Sequence, residues 1–296
     1  MIQRQKAFPH VKKGTPERKA IADKIKQYRA IEEGRLSHTW QTTRRLVDLE
    51  SPTPGMNVIK EVDNLHRKLG RKVKVFEVGT GEGHSLRALK LFRGNIAEVD
   101  GITLTQKAAN QAAGKDEIEG RSILHTRGSQ SIIGTITGHV PTVKVRVGLI
   151  EGLKLAGQDF IFSFQSMRYV IDRARALEVI ANGLNPGGKA ILQVPAYFLG
   201  KDEKHIQEYF QRHGFKLKVK KVRIQIKYDK WMREALAKRG QDPKRKRGTL
   251  GRNRFIVIER IGNQPVDLKK FYRIRTNDMW QEIDPRPRRK AKQSKT

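Results

Sequence analysis

Apolar residues in the first 70 positions recur at the spacing of amphipathic helices. The first helix is predicted to begin around Thr15–Glu17, where Pro16 occupies the first helical position, and to end before Gly34. A weaker helical stretch ends near Leu49, the segment SPTPG at 51–55 breaks the chain, and another helical stripe continues to Gly70. The apolar positions are Ile21, Ile25 and Tyr28 in the first helix and Met56, Ile59, Val62 and Leu65 in the last.

From residue 72 the pattern changes to short apolar or alternating runs that are typical of strands, separated by helical segments. The predicted strands are 72–78, 95–99, 143–147, 159–164, 189–194, 216–226 and 254–260, and the predicted helices are 86–91, 105–114, 172–183 and 202–213. Strands that alternate with helices in this way indicate an α/β fold, a doubly wound and mostly parallel sheet covered by helices on both faces.

The charge of the chain is strongly one-sided. Its 296 residues include 62 Lys and Arg against 30 Asp and Glu, which gives a net charge of +32. Residues 215–296 alone carry 27 basic and 8 acidic groups, so most of the excess lies in little more than a quarter of the chain. Such a charge opposes compaction unless a polyanion shares the surface, and nucleic acid is the leading expectation.

The absence of cysteine excludes disulfides, thiolate metal sites and cysteine nucleophiles, and we expect no metal centre. The first 14 residues have no apolar signal core, and nothing approaches 18 consecutive apolar residues. We therefore expect a protein of the cytoplasm or of an organelle such as the mitochondrion, one that is neither secreted nor membrane-spanning.

A glycine-rich turn follows the first predicted strand, in the string FEVGTGEGHS at 76–85. Glycines at Gly79, Gly81 and Gly83 allow positive φ and let a ligand approach the backbone. The spacing alone leaves nicotinamide cofactors as competitors. Glu77, however, sits directly before the glycines, where a carboxylate disfavours a pyrophosphate and favours a cationic group.

This segment resembles the first motif of the class I S-adenosylmethionine-dependent methyltransferases, in which an acid precedes the three glycines. The resemblance extends over about residues 56–261 and includes the string LNPGGKAIL at 184–192. It implies a Rossmann-like core, S-adenosylmethionine as cofactor, and methyl transfer as the reaction. The implied division is a helical basic extension at 1–55, the core at 56–261 with a basic insertion at about 227–253, and a basic extension at 262–296 whose end is expected to be disordered alone.

The resemblance also implies a set of cofactor-binding residues. These are Glu77, Gly79, Gly81, Gly83, Asp100 and Ser163. Asp100 would hold the ribose hydroxyls, but aligning Gly101 with the glycine common in this strand puts Thr103 at that position instead. The adenine contacts stay open, because Gly148 is followed by Leu149 where the family often has an acid, and Ser129 and Gln130 are the alternative.

The acceptor is less well indicated than the cofactor. The fourth strand ends in FSFQSMRY rather than the Asp/Asn-Pro-Pro-Tyr/Phe motif of many amino methyltransferases, which argues against methylation of adenine N6. Without cysteine, covalent activation of a pyrimidine at carbon 5 is also excluded. Asp159 and Lys189 are poorly placed for the catalytic set of a ribose 2′-hydroxyl methyltransferase.

The loop after the fourth strand is expected to face the ligand crevice, and Gln165 and Tyr169 are the weak catalytic candidates in it. Packing in the core is the competing interpretation of Tyr169. His84 has two interpretations, since it could cap the helix that follows the glycine turn or contact the cofactor.

We expect an RNA-directed methyltransferase, whose substrate would be ribosomal or another structured RNA and whose partner could be the ribosome or its precursor. The alternatives are a noncatalytic RNA-binding or ribosome-assembly module with this fold, and a small-molecule or lipid methyltransferase. Phosphate binding by the basic string at 238–254 and base stacking by nearby aromatic residues would favour RNA. These aromatic residues are Trp231, Phe271, Tyr272 and Trp280.

Overall fold

The computed structural model describes residues 11, 14–32, 57–81, 83–113, 143–164, 166–195, 198–200, 203–227 and 247–268, with the backbone alone along 222–227 and 247–253. The adenine candidates Ser129 and Gln130, the acceptor candidate Gln165, the four aromatic residues and the C-terminal tail lie outside these residues. Among the described residues, no helix is long and apolar enough to cross a membrane.

Six helices occupy the described ranges. They are α1 (Pro16–Glu32), α2 (Val58–Leu69), α3 (His84–Arg93), α4 (Gln106–Ala112), α5 (Arg173–Gly183) and α6 (Glu203–Arg212). Side chains of the residue types that favour helix starts begin several of them, since Asn57, Thr105 and Asp172 each accept a backbone N–H of the first turn.

Seven strands form one sheet. They are β1 (Val73–Val78), β2 (Ala97–Thr103), β3 (Lys144–Val147), β4 (Gln158–Ser163), β5 (Leu184–Val194), β6 (Phe215–Lys227) and β7 (Arg247–Arg260). Their order is β3-β2-β1-β4-β5-β7-β6; the first five are parallel, and β7 runs antiparallel to both of its neighbours. The predicted α/β class and Rossmann-like architecture are confirmed.

Three strand boundaries differ from the sequence prediction by four residues or more. β2 extends to Thr103, because Asp100 to Thr103 pair with β3, whereas the apolar pattern suggested an end at 99. β5 begins at Leu184, so the Pro-Gly-Gly turn lies inside the strand, where a register shift against β4 and a φ of 77° at Gly187 accommodate it. β7 begins at Arg247, inside the segment expected to be a basic loop, because its backbone pairs with the end of β6.

The core has two layers, one on each face of the sheet. One layer joins α5 and α6 to β4, β5, β6 and β7 through residues such as Leu177, Phe210 and Ile258. The other joins α2 and α3 to β1, β4 and β5 through Val62, Leu89 and others. Helices on both faces explain why the central strands read as continuous apolar runs.

A buried acid holds the amino ends of β1, β4 and β5 together. Asp159 receives two bonds from Arg71, at 2.6 and 2.8 Å, one from the backbone N–H of Lys74 at 2.9 Å, and one from the Asn185 amide at 2.7 Å. Burial raises the pKa of Asp159, but these bonds to the ionised form outweigh burial and hold it below its ordinary value. Lys189 pairs with Glu61 at 2.8 Å. Asp159 and Lys189 thus form contacts at the amino edge of the sheet, away from the glycine loop.

Candidate active site

The glycine loop begins where β1 ends, at the carboxyl edge of the sheet. Gly79, Gly81 and Gly83 all have left-handed backbone conformations, with φ of 76°, 52° and 77°, which favour glycine. Gly83 is the N-cap of α3, so the loop leads directly into the helix N-terminus. Strand, glycine turn and helix therefore have the predicted arrangement.

Two of the three glycines are also required by contacts within the protein. A Cβ on Gly79 would lie 2.2 Å from the Cβ of Ser166, and a Cβ on Gly83 would lie 2.6 Å from that of Ala112. Gly79 therefore lets the loop after β4 approach, and Gly83 lets the end of α4 approach. Gly81 lies at the partly exposed tip between them, where a ligand can reach its backbone.

Glu77 lies on β1 just before the loop, and it is only 1% exposed. The Ser85 hydroxyl, on the first turn of α3, donates to its Oε1 at 2.9 Å and fixes the carboxylate beneath the glycine turn. A carboxylate in this position provides negative charge under the loop, so the loop suits a ligand that carries positive charge nearby.

The two alternatives for a ribose ligand occupy different levels of β2. Asp100 pairs with Phe76 of β1, three residues before the strand ends, and its Oδ2 accepts a bond from Arg146 at 2.6 Å. Thr103 is the last residue of β2, level with the end of β3. Gly101 lies between them, and a Cβ there would meet Thr80 of the glycine loop at 2.2 Å. Thr103 is 2% exposed, whereas Asp100 is partly exposed, and the ribose role stays a prediction for both residues.

Ser163 ends β4, and its hydroxyl donates to the carbonyl of Val78 at 3.0 Å. The Ser166 hydroxyl donates to the same carbonyl and also contacts Ser163. These bonds tie the acceptor loop, which we define as residues 163–172, to the end of β1. Ser163 thus lies next to the end of β1, where its hydroxyl holds the acceptor loop in place, and its role in cofactor binding stays a prediction.

Tyr169 packs against α1. Its ring lies 5.1 Å from that of Tyr28, in an edge-to-face arrangement. Ile21 and Ile25 of α1 pack in the same small cluster as Ile171 of the acceptor loop and Leu149. The helix that the sequence assigned to an N-terminal extension therefore lies against the acceptor loop. The spacing of its apolar residues predicted a buried face but could not identify the surface that covers it.

A second buried acid, Glu151, also supports the acceptor loop. Its Oε1 accepts the backbone N–H groups of Ile171 and Asp172 at 2.8 and 3.1 Å, while Oε2 is buried and meets no hydrogen-bond donor among the described residues. Burial is the main cause that raises the pKa of Glu151 to about 7, and the nearby Asp172 raises it further. Through these two backbone bonds Glu151 supports the end of the acceptor loop.

Comparison with protein families agrees with this arrangement. A family model described as a methyltransferase domain matches residues 76–192, which include the glycine loop, Glu77 and the acceptor loop. This chain carries a methyltransferase domain. The resemblance to class I S-adenosylmethionine-dependent methyltransferases is confirmed, as is S-adenosylmethionine as the cofactor. No curated protein matches the chain.

Two solved methyltransferase structures are among those similar to this chain. A chain of the complex between the Haloferax volcanii Trm112 methyltransferase activator and the putative methyltransferase is 15% identical, with a TM-score of 0.44, covering 83% of this chain and 99% of that one. Magnesium protoporphyrin IX methyltransferase from Synechocystis PCC 6803, with bound S-adenosylmethionine, is 14% identical, with a TM-score of 0.42, covering 84% and 100%. Both likenesses are distant.

The residues at the carboxyl edge fit this cofactor. S-adenosylmethionine carries a sulfonium and an ammonium group and supplies an electrophilic methyl group. Glu77 provides the opposing charge, and Gly81 is partly exposed and has the left-handed backbone that favours glycine. The side chain of His84 lies outside the described residues.

Substitution of the central glycine tests whether the loop binds the cofactor. We expect Gly81→Val to abolish S-adenosylmethionine binding measured by calorimetry, because a branched side chain would fill the space beside the backbone. Gly70→Val is the matched control, since Gly70 has a similar φ of 65° but open space around it, at the other end of β1. Both variants carry backbone strain, so a folded Gly81→Val protein that binds normally would contradict the assignment.

The raised pKa of Glu151 predicts a loss of stability with increasing pH. The folded state retains a proton that the unfolded chain releases near its ordinary pKa of 4.5, so stability falls between about pH 4.5 and 7, by about 3 kcal/mol in all. Glu151→Gln should remove that fall, as measured by urea unfolding at pH 5, 6, 7 and 8. Glu98→Gln, which changes an exposed carboxylate on β2, is the control. Parallel pH curves for the wild type and Glu151→Gln would contradict the prediction.

Proposed function

We propose that this methyltransferase acts on RNA, with ribosomal or another large structured RNA as its substrate. The observation that carries the proposal is the net charge of +32 on a chain with a methyltransferase domain. A charge of this size raises the local concentration of polyanions and steers them to the surface, whereas a small neutral substrate gains little from it.

Part of this charge lies on a described surface at the edge of the sheet. Along β6, exposed Lys216 and Lys218 alternate with buried Phe215 and Leu217, and Lys221 is exposed as well. Lysines on an edge strand also discourage pairing with other strands, so these residues alone would not indicate a ligand. Together with the 27 basic residues of 215–296, they support a surface for phosphates.

In this proposal the methyl acceptor binds at the acceptor loop. It leaves β4 at the same edge where the glycine loop leaves β1, so an acceptor held by 163–172 would lie beside the cofactor. Alignment of the acceptor is the main requirement, because the cofactor supplies a methyl group that is already reactive. The hydroxyls of Ser163 and Ser166 hold the loop through the Val78 carbonyl, and the ring of Tyr169 is held by Tyr28.

Transfer of labelled methyl groups tests the proposal directly. We expect the purified protein to move label from S-adenosylmethionine to unmodified ribosomal RNA transcripts, and to bind them with an affinity that falls steeply with salt. Binding of both cofactor and RNA without transfer would favour a noncatalytic assembly module. Salt-insensitive, weak RNA binding together with transfer to small molecules or lipids would contradict RNA as the substrate.

Tyrosine substitutions separate a role in the acceptor loop from general packing. We expect Tyr169→Ala to slow transfer about 10- to 100-fold while cofactor affinity stays within about twofold, because the loop would lose the contact that positions it. Tyr169→Phe keeps the ring and should retain activity if packing on Tyr28 is the main contribution. Tyr209→Ala is the control, as Tyr209 packs on His213 of the remote α6 region. Equal loss in the Phe and Ala variants would instead assign the role to the hydroxyl.

A further inference from the structure

The hairpin formed by β6 and β7 continues beyond the rest of the sheet. β5 ends at Val194, which pairs with Arg254 of β7, and Arg254 pairs with Lys221 of β6. Past that level, 222–227 and 247–253 pair with each other and with no other described strand, as far as Lys227 opposite Arg247. We call these two segments the arm. At about 3.3 Å per residue, the arm extends about 20 Å past the end of β5.

The arm extends on the side of the active site. β7 is antiparallel to β5, and β6 is antiparallel to β7, so β6 runs in the same direction as the parallel strands. Its outer end therefore lies beyond the carboxyl edge, where the glycine loop and the acceptor loop also lie. β7 and β6 are two and three strands away from β4, which corresponds to about 10 and 14 Å at the usual strand spacing.

The arm is also cationic. Its two segments contain Arg223, Lys227, Arg247 and Arg252, and no acidic residue. The chain from 216 to 254, which includes the arm and the connection between its strands, carries 16 basic and 3 acidic residues. The element that extends past the active-site edge thus carries four basic residues and no acidic residue.

The arm is suited to gain stability from a partner. A two-stranded ribbon by itself is only marginally stable in water, and four like charges on it repel one another. Phosphate groups would relieve that repulsion and release condensed counterions as they bind. Charge complementarity therefore favours a polyanion as the occupant, and the arm extends past the carboxyl edge, on the same side of the sheet as the acceptor loop.

We infer that the arm binds the sugar-phosphate backbone of the substrate RNA next to the acceptor loop. This inference rests on the proposed function and adds to it the element that places the RNA. Contacts to the backbone position a nucleic acid without selecting its sequence. The arm therefore supplies affinity and orientation, and selection of the methylated nucleotide belongs to the acceptor loop.

The test compares two sets of four neutral substitutions of equal charge change. In the arm variant, Arg223, Lys227, Arg247 and Arg252 are changed to Gln. In the control variant, Arg67, Lys68, Lys72 and Lys74 are changed to Gln, since all four are exposed and lie at or near the amino edge of the sheet. Binding to the unmodified ribosomal transcript is measured over a series of salt concentrations, together with kcat and KM for the RNA.

The arm variant should bind RNA at least tenfold more weakly at physiological salt, with a log–log salt slope shallower by about 3. KM for RNA should rise while cofactor affinity stays unchanged, and the control variant should show much smaller effects. Exchanging Arg and Lys at the four arm positions keeps the charge and should restore the slope. Slower hydrogen exchange of arm amides on adding RNA to the wild type checks the contact without any substitution.

Two results separate the failure of the inference from that of the proposed function. Equal losses in the arm and control variants, or arm amides whose exchange is unchanged by RNA, would overturn the arm assignment while RNA methylation by the wild type stands. A wild-type protein that neither binds nor methylates RNA would overturn the proposed function, and the arm assignment with it.

Discussion

The active-site edge depends on one backbone carbonyl, that of Val78. Val78 is the last residue of β1, and its carbonyl oxygen accepts hydrogen bonds from the hydroxyls of Ser163 and Ser166. Because β1 and β4 are neighbours, this arrangement makes the glycine loop and the acceptor loop start from the same point. From β1 the strand order proceeds to β2 and β3 on one side and to β4 and β5 on the other. In an open parallel sheet a crevice forms at the carboxyl ends of the strands where the order reverses in this way. The serine hydroxyls fix how closely the two loops approach.

Two buried acids stabilise opposite edges of the same sheet by different means. Asp159 is ionised and fully bonded at the amino edge, where Arg71, Lys74 and Asn185 all donate to it. Glu151, at the carboxyl edge, has two donors on one oxygen and none described on the other, so burial favours its neutral form. The amino edge therefore holds its charge, whereas the acceptor loop is supported by a group that changes charge near neutral pH.

The sequence predicted those features that arise from local geometry. The glycine loop, the acid before it and the alternation of strands and helices follow from spacing and residue type, and they led to the correct fold and cofactor. Strand ends were less accurate, because pairing with a neighbour, as between Asp100–Thr103 and β3, decides where a strand stops. The contact between Tyr28 and Tyr169 joins residues 141 positions apart, and no local pattern encodes such a distant pair.

A row of paired residues crosses the sheet and connects the β6–β7 hairpin with the start of the acceptor loop. Ser163 pairs with Leu192, Leu192 with Ile256, and Ile256 with Val219, so one line of backbone hydrogen bonds crosses β4, β5, β7 and β6. The inner part of the β6–β7 hairpin and the start of the acceptor loop therefore belong to the same paired row. A polyanion bound to the arm would be attached to the sheet from which the acceptor loop begins.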